Sequence, residues 1–373
     1  MIKFNETYKS KSLKKYLNEI SENNSFSSNK YREKCNDYIA ENYKYKYFLL
    51  THSATAALEI SAMIMREDEK FKNSKVFMPS YTFSSTANAF LRSNFNIKFL
   101  DIDPTNMMAD VSKVSFKTND IFVPVHYAGS YFDFDRHFIS SKNKPIIIED
   151  AAQAFGVKYK NQEAGSYGRM SCFSFHPTKN LHSGFGGMLT FKFKKDYELA
   201  QYIYERGTDR SKVISGLKKK YEWVSLGSSF EMNELSSAVL LSQLEDIDYI
   251  QLRRKEIYEI YHNNLQSLID DGLLETQEIP DYIKPNYHSF YILLKESNSK
   301  FINFLYKNGV QSYIGYSPLH SSSYGRKNNI YSELKNTETY HKRLVRLPSH
   351  PNLKNTDVEF IIKLIKKYYL SNF

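Results

Sequence analysis

The architecture of this chain is inferred most directly from Ile146-Ile147-Ile148-Glu149-Asp150-Ala151-Ala152-Gln153, together with the later run Phe173-Ser174-Phe175-His176-Pro177-Thr178-Lys179-Asn180. A β-branched apolar run that ends in acidic residues predicts a buried strand with an acid at its carboxyl end. In open α/β sheets, ligands collect beyond the carboxyl ends of the strands. We therefore expect Asp150 and Lys179, which follows on a loop, to meet in one pocket.

A lysine and an acid placed in this way suit pyridoxal 5'-phosphate (PLP). The lysine forms a Schiff base with the cofactor, and the acid pairs with the pyridinium nitrogen and keeps it protonated. The alternative is an ordinary strand-end acid and a surface lysine, and these two residues alone do not exclude it. Asp150 is also a candidate N-cap for a helix that begins at Ala151.

Short apolar runs alternate with helical spacings through most of the chain, which indicates an α/β fold with a doubly wound, mostly parallel sheet. The predicted strands are Tyr47–Leu50, Val76–Met78, Ile97–Leu100, Ile121–Val125 and Pro145–Ile148. The predicted helices are Thr55–Arg66, Ser84–Arg92, Asn233–Asp248 and Ile250–Leu268. We expect a large PLP-binding domain over residues 1–249. A smaller α+β domain is expected over 250–373, with strands at Ser289–Leu294 and Val310–Tyr313 and a closing helix at Asp357–Tyr369.

The composition limits the class of protein. The chain has 373 residues, 51 Lys and Arg against 41 Asp and Glu, and a formal charge of +10. The positive charge is spread out, and no nucleic-acid-binding signature accompanies it, so we expect attraction of an anionic small molecule or a solvated basic surface, and no nucleic-acid partner. Apolar runs fall far short of the roughly 20 residues that cross a bilayer. Two cysteines are too few for a disulfide framework or a cysteine-built metal site, so we expect no metal, no membrane partner and a cytoplasmic protein.

Several further segments, kept in order, surround this pair. They are Gly165-Ser166-Tyr167-Gly168, Cys172-Phe173-Ser174-Phe175-His176, Lys179-Asn180, Gly186-Gly187 and, earlier, Pro79-Ser80-Tyr81-Thr82-Phe83. Together with Glu149 to Gln153 they resemble the DegT/DnrJ/StrS family of sugar aminotransferases. The resemblance implies fold type I of the PLP-dependent enzymes, with PLP as cofactor and a homodimer with shared active sites.

The resemblance also implies roles for individual residues. Lys179 and Asp150 would be the catalytic pair, Gln153 would lie near the cofactor hydroxyl, and Phe83 would stack on the pyridine ring. The phosphate would be bound at the N-terminus of the helix that follows the first strand, and by two serines elsewhere. The residues of this phosphate site are Ser53, Ala54, Thr55, Ser174 and, from the neighbouring subunit, Ser229. Ala54 stands where many members have glycine, and Ser229 where many have asparagine.

Longer matching sequence segments make the chain most similar to those family members that make dTDP-4-amino-4,6-dideoxygalactose. Such enzymes move an amino group from L-glutamate to C4 of dTDP-4-dehydro-6-deoxy-D-glucose, for polysaccharides such as the O-antigen of lipopolysaccharide. The candidate substrate contacts are Tyr316, His320, Arg206 and Arg210. The alternatives left open are another keto nucleotide sugar, a gluco product and a non-catalytic regulator with the same fold. Phe185 departs from the family pattern, which usually has glutamate there.

Overall fold

The computed structural model describes residues 1–139, 142–328, 330 and 332–370 of the chain. Its helices are α1 Leu13–Glu22, α2 Lys30–Tyr43, α3 Ala54–Glu67, α4 Ser84–Arg92, α5 Phe134–Phe138, α6 Lys194–Tyr204, α7 Arg210–Ile214, α8 Glu234–Glu245, α9 Ile247–Asp270, α10 Asn298–Lys307, α11 Ser323–Lys327, α12 Lys335–Tyr340 and α13 Asn355–Leu370. Its strands are β1 Phe48–Thr51, β2 Lys75–Pro79, β3 Asn96–Leu100, β4 Ile102–Asp103, β5 Met108–Ala109, β6 Ile121–Phe122, β7 Ile146–Asp150, β8 Lys158–Tyr159, β9 Gln162–Glu163, β10 Met170–Ser174, β11 Gly187–Phe191, β12 Leu274–Thr276, β13 Ile283–Lys284, β14 Phe290–Leu294 and β15 Leu344–Leu347. Within this part of the chain, no helix has the length and apolar character that a bilayer crossing requires.

The main sheet has seven strands in the order β1-β11-β10-β7-β6-β2-β3. The neighbours from β10 to β3 are parallel, whereas β11 runs antiparallel to both β1 and β10. This confirms the predicted α/β class with a mostly parallel sheet. The predicted strand over residues 121–125 is wrong in its length, because Pro124 has no N–H to continue the ladder and only Val125 pairs again, with Asp150.

Apolar side chains form separate cores around this sheet. One cluster includes Ile60, Val76 and Leu189 and packs α3, α4 and α6 against the sheet. Another includes Phe122, Phe173 and Leu240, under α2 and α8. Helices cover both faces of the sheet. The polar residues that end β7 and β10 are therefore accessible at the carboxyl edge of the sheet, where the cavity described below lies.

A second, antiparallel sheet has the order β12-β14-β15 and packs with α9, α10 and α13 around a third cluster. The predicted strand at Val310–Tyr313 is wrong. The Val310 N–H still bonds back to the Leu305 carbonyl at the end of α10, so only isolated bridges form, from Val310 to Ile2 and from Tyr313 to Arg346.

Two long helices connect the sheets, as the helical spacing predicts. The Asn233 side chain caps α8 by accepting from the Ser236 N–H at 2.8 Å. A break at Asp246 then separates α8 from α9. Ile247 and Ile250 pack in the core under α8, whereas the later turns of α9, from Ile257 onward, pack in the third cluster.

Candidate active site

Asp150 ends β7 with its side chain buried at the edge of the sheet. The Thr86 hydroxyl donates to one carboxylate oxygen at 2.6 Å, and the Ala152 N–H donates to the other at 3.2 Å. Asp150 lines a cavity of about 480 Å³, a volume typical of small-molecule sites. The carboxylate is thus held rigidly and presented to a ligand.

Glu149, the other acid of the same motif, has a different role. Successive strand residues point to opposite faces, so Glu149 turns away from Asp150 into the core. It accepts hydrogen bonds from the His126 ring at 2.8 Å, the Tyr131 hydroxyl and the Gly165 and Gly168 N–H groups. Burial opposes its ionisation, but these donors outweigh burial and lower its pKa. Glu149 therefore organises the 165–168 turn and makes no contact with the cavity.

Lys179 lies on the loop between β10 and β11 and lines the same cavity as Asp150. Burial, and then the charge of Arg346, lower its pKa from 10.5 to about 8, while Asp150 opposes the shift. The Lys179 N–H donates to the His176 carbonyl at 2.8 Å, and the Pro177 carbonyl accepts from the Asn5 side chain at 3.0 Å. A far larger fraction of this amine is therefore deprotonated near neutral pH than of an ordinary lysine, as a nucleophile or proton carrier requires.

The N-terminus of α3 forms one end of the cavity. The Ser53 hydroxyl caps the helix by accepting from the Ala56 N–H at 3.1 Å, and Ser53, Ala54 and Thr55 all line the cavity. A Cβ on Gly187 would lie 2.5 Å from the Ala54 nitrogen, so only glycine lets β11 approach this turn. Ser174, at the end of β10, lines the cavity as well. The positive end of the α3 dipole, the free backbone N–H groups of its first turn and the nearby serine and threonine hydroxyls together suit a phosphate.

Two aromatic rings are exposed within this cavity. Phe83 precedes α4 and is 61% exposed, and Phe185 precedes β11 and is 66% exposed. The Phe185 ring meets the His176 ring edge-on, with their centroids 5.3 Å apart. Large apolar rings left open to solvent in a ligand-sized cavity are available to stack on a ligand.

Gln153 and Tyr316 form a linked pair in the cavity wall. The Gln153 amide nitrogen donates to the Tyr316 hydroxyl at 2.6 Å, and its oxygen accepts from the Ala128 N–H at 2.7 Å. Tyr316 comes from the chain beyond β14, so this pair joins the two parts of the molecule at the site. Both residues were predicted as site residues, and the structure brings them together.

The structure does not bring four of the predicted residues to this cavity. Ser229 and Arg206 are bonded to each other at 2.9 Å, and Arg206 also pairs with Glu231 at 2.8 Å. Arg210 begins α7 and is exposed. His320 is fully buried, bonded to the Ser80 hydroxyl at 2.7 Å and facing a glutamate from α12, so its position supports no substrate contact.

Sequence reasoning missed several cavity residues, among them Thr86, His288 and Arg346. His288 Nδ1 bonds Asn180 Oδ1 at 2.7 Å, and the Asn180 amide nitrogen donates to the Asn286 carbonyl. His288 Nδ1 therefore carries the proton, and burial, followed by the charges of Lys179, Arg254 and Arg346, keeps its pKa well below the ordinary value. Arg346 lies in β15 and His288 just before β14, and no motif surrounds either residue, so the local sequence did not mark them as site residues.

A lysine and an acid lie together at the carboxyl edge of the sheet, beside a helix N-terminus that suits a phosphate, and this arrangement is typical of PLP-dependent enzymes. The chain matches the family model over residues 7–366. It therefore belongs to the DegT/DnrJ/EryC1/StrS aminotransferase family, and it is a PLP-dependent sugar aminotransferase.

Individual relatives agree with this assignment over nearly the whole chain. The spore coat polysaccharide biosynthesis protein SpsC of Bacillus subtilis is 30% identical over 348 residues, which cover 86% of this chain and 85% of SpsC. GDP-perosamine synthase of Escherichia coli O157:H7 is 26% identical over 368 residues, 95% of each chain. The PLP form of Spr1654 from Streptococcus pneumoniae has the same fold, with a TM-score of 0.86 at 20% identity over 98% of this chain and 97% of Spr1654.

Proposed function

We propose that this protein transfers an amino group from L-glutamate to C4 of dTDP-4-dehydro-6-deoxy-D-glucose, giving a dTDP-4-amino-4,6-dideoxy sugar for surface polysaccharides. The cavity that joins Lys179, Asp150 and the start of α3 carries the proposal. The choice of sugar is supported by sequence segments such as Val123–Gly129 and Arg206–Ser211, which resemble the corresponding segments of dTDP-4-amino-4,6-dideoxygalactose transaminase. The resemblance favours the galacto product.

The residues of the cavity fit PLP group by group. Asp150 would pair with the pyridine nitrogen, and its two hydrogen bonds from Thr86 and Ala152 fix the carboxylate for that contact. The start of α3 and Ser174 would bind the phosphate, and Phe83 would cover one ring face. When bound, PLP supplies an electron-withdrawing ring that stabilises negative charge at the substrate carbon.

Lys179 performs the proton transfers in this proposal. With a pKa of about 8, its amine is partly free at neutral pH and can remove the Cα proton of glutamate. The same amine later returns a proton at C4 of the sugar. His288 is held neutral beside it and adds no competing acid. The two half-reactions therefore use one base in one cavity.

A cytoplasmic homodimer belongs to the same proposal. The segment from α7 to Ser229 carries large exposed apolar residues, among them Trp223 at 80% and Leu226 at 67% exposure. Burying such a surface against a second subunit would remove it from water, and Ser229 and Arg206 would then face the partner's phosphate and substrate. Sedimentation of the purified protein tests this, since a monomer at working concentration would contradict it.

The decisive experiment incubates PLP-loaded enzyme with glutamate and dTDP-4-dehydro-6-deoxyglucose, followed by mass spectrometry and NMR of the product. We expect glutamate to shift the cofactor absorbance and the sugar to gain an amine at C4. Lys179→Ala should abolish both, whereas a non-catalytic regulator would tolerate that change. Absence of the shift, and of amination of any 4-keto sugar nucleotide, would overturn the proposal.

The main alternative is a substrate linked to GDP in place of dTDP, because GDP-perosamine synthase is similar to this chain over 95% of the length of each. The same assay with a GDP-linked 4-keto-6-deoxy sugar distinguishes the two. Higher kcat/KM for the GDP sugar would leave the aminotransferase chemistry in place and reassign the nucleotide.

A further inference from the structure

A second cavity, of about 760 Å³, lies at the opposite edge of the main sheet from the active site. Its lining includes Ile146, the first residue of β7, and Arg169, which directly precedes β10. The other ends of these two strands carry Asp150 and Ser174, in the active cavity. Because β7 has five residues, about 13 Å of strand separates the two cavities. We call this second cavity the amino-edge cleft, and its volume is typical of small-molecule sites.

The amino-edge cleft is strongly basic. Among the described residues, its lining has five basic side chains and no acidic one. The basic residues are Lys70, Lys144, Arg169, Lys192 and Lys195. Lys70 pairs with Asp68 at 3.4 Å, whereas the other three lysines make no ion pair within the described ranges. Three uncompensated like charges around one cavity repel one another, so an anion bound between them would be stabilised.

Arg169 is the least exposed of these basic residues. Its side chain is only 9% exposed, whereas the four lysines are exposed. Its Nε and Nη2 atoms each donate to the Asp196 carboxylate at 2.7 Å, and the Phe71 ring faces the guanidinium at 5.4 Å. Nη1 donates no hydrogen bond to any described residue. The guanidinium is therefore fixed in place with the Nη1 donors available to an anion in the cleft.

One wall of the amino-edge cleft is apolar and rigid. Phe138 and Ile147 are buried in the core behind it. The Tyr167 ring stacks on the Phe134 ring with a centroid separation of 4.0 Å, which holds Tyr167 in one orientation. An apolar wall beside a few fixed polar groups is the usual composition of a small-molecule site. A nucleoside or sugar attached to the anion would lie against this wall.

We infer that the amino-edge cleft binds a diphosphate group with a free terminal phosphate, as in inorganic pyrophosphate or a nucleoside diphosphate. One phosphate group carries about −1.5 to −2 charges at neutral pH, which leaves part of the charge of three lysines uncompensated. A second phosphate group removes this deficit and offers Arg169 Nη1 a further acceptor. The cleft contains neither Lys179 nor Asp150, so the inference goes beyond the proposed function and does not depend on it.

The alternative is a solvated basic surface, because the whole chain has a formal charge of +10. Such a surface attracts any anion weakly, without saturation, and salt screens the attraction. Lys354 and Lys363 represent it well, since both are exposed and neither lines the amino-edge cleft or the active cavity. A site built around a fixed guanidinium instead saturates, and its affinity depends on particular lysines.

The test is calorimetric titration of the PLP-loaded holoenzyme with inorganic pyrophosphate. The double variant Lys144→Gln/Lys195→Gln removes two charges from the cleft, and its matched control Lys354→Gln/Lys363→Gln removes two charges elsewhere. We expect the wild type to show saturable binding that the cleft variant weakens at least about 10-fold. The control should stay within about 2-fold of wild type. Because all four lysines are exposed, neither variant removes a core contact.

Arg169→Lys tests the contribution of the buried guanidinium. This change keeps a cation beside Asp196 but removes the fork that presents Nη1. We expect it to weaken pyrophosphate binding while the circular dichroism spectrum stays that of the wild type. Pyrophosphate affinity equal to that of the wild type in a folded Arg169→Lys variant would contradict the inference.

Lysine acetylation, read by mass spectrometry, shows where pyrophosphate binds, because a second binding event in the active cavity leaves the cleft lysines unprotected. Bound pyrophosphate should slow the acetylation of Lys144, Lys192 and Lys195 and leave Lys354 and Lys363 unchanged. Repeating the titration with dTDP distinguishes the two sources of diphosphate: tighter binding of dTDP assigns a nucleoside to the apolar wall, and tighter binding of pyrophosphate assigns the inorganic anion. Non-saturating binding, equal losses in both double variants, or uniform protection of all five lysines would each overturn the inference.

Discussion

Replacing Lys179 with methionine in the cofactor-free protein is expected to increase its free energy of unfolding at pH 7 by roughly 3 kcal/mol. Burial and the charge of Arg346 lower the pKa of Lys179 from 10.5 to about 8. Between these values the unfolded chain binds a proton that the folded chain has released, so stability rises with pH through this window. Below pH 8 the cost of charging the buried lysine is fully present, at about 1.36 kcal/mol for each pKa unit.

The assay is urea unfolding of wild type and Lys179→Met at pH 7 and pH 10, at one protein concentration because a dimer would make stability depend on it. The advantage of the variant should fall from roughly 3 kcal/mol at pH 7 to under about 1 kcal/mol at pH 10. Lys192→Met is the control, since Lys192 is exposed and its charge stays in water. No gain at pH 7, or the same gain at both pH values, would refute the assigned burial of the charged amine.

Three further predictions concern the cofactor and the sugar. Asp150→Asn should lower kcat about 100- to 1000-fold while PLP still binds, measured by steady-state kinetics and absorbance titration; unchanged kcat would contradict its pairing with the pyridine nitrogen. Gly187→Ala should weaken PLP at least about 10-fold, because its Cβ meets the start of α3, whereas Gly272→Ala, with open space around it, should not. Phe185→Ala should raise the sugar KM about 5-fold and spare the glutamate half-reaction, with Phe193→Ala, an exposed ring outside the cavity, as control.

The parts of the fold that could be predicted are those with a local pattern. The run Ile146–Asp150 alternates with helical spacings on either side, and this places Asp150 at a strand end without knowledge of the other strands. The strand periodicity also predicts that the Glu149 and Asp150 side chains point to opposite faces of the sheet. It does not state which of them faces the cavity, because that depends on which helices cover each side of the sheet.

The residues that could not be predicted come from contacts between distant segments. Arg346 lies in a short apolar strand with no motif around it, and only the packing of β15 beside the Lys179 loop brings it to the site. His320 shows the converse, because its motif resembled a family site, yet the chain buries it against Ser80. Local sequence patterns therefore identified the site residues of the main sheet, Asp150 and Lys179. The site residue of the small sheet, Arg346, could be identified only from the tertiary structure.

The contacts of Phe4 bear on the order in which the cavity is assembled. The Phe4 N–H donates to the Gln311 side chain at 3.2 Å, and the Phe4 ring covers Arg346, so segments far apart in the sequence pack together. Closing so long a loop is slow, and the segment around Phe4 has to wait for these partners during translation. A ribosome-bound chain halted before β15 would already carry Lys179 and Asp150, but it would lack Arg346. The cavity is therefore expected to be complete only after β15 has been synthesised and has paired with β14.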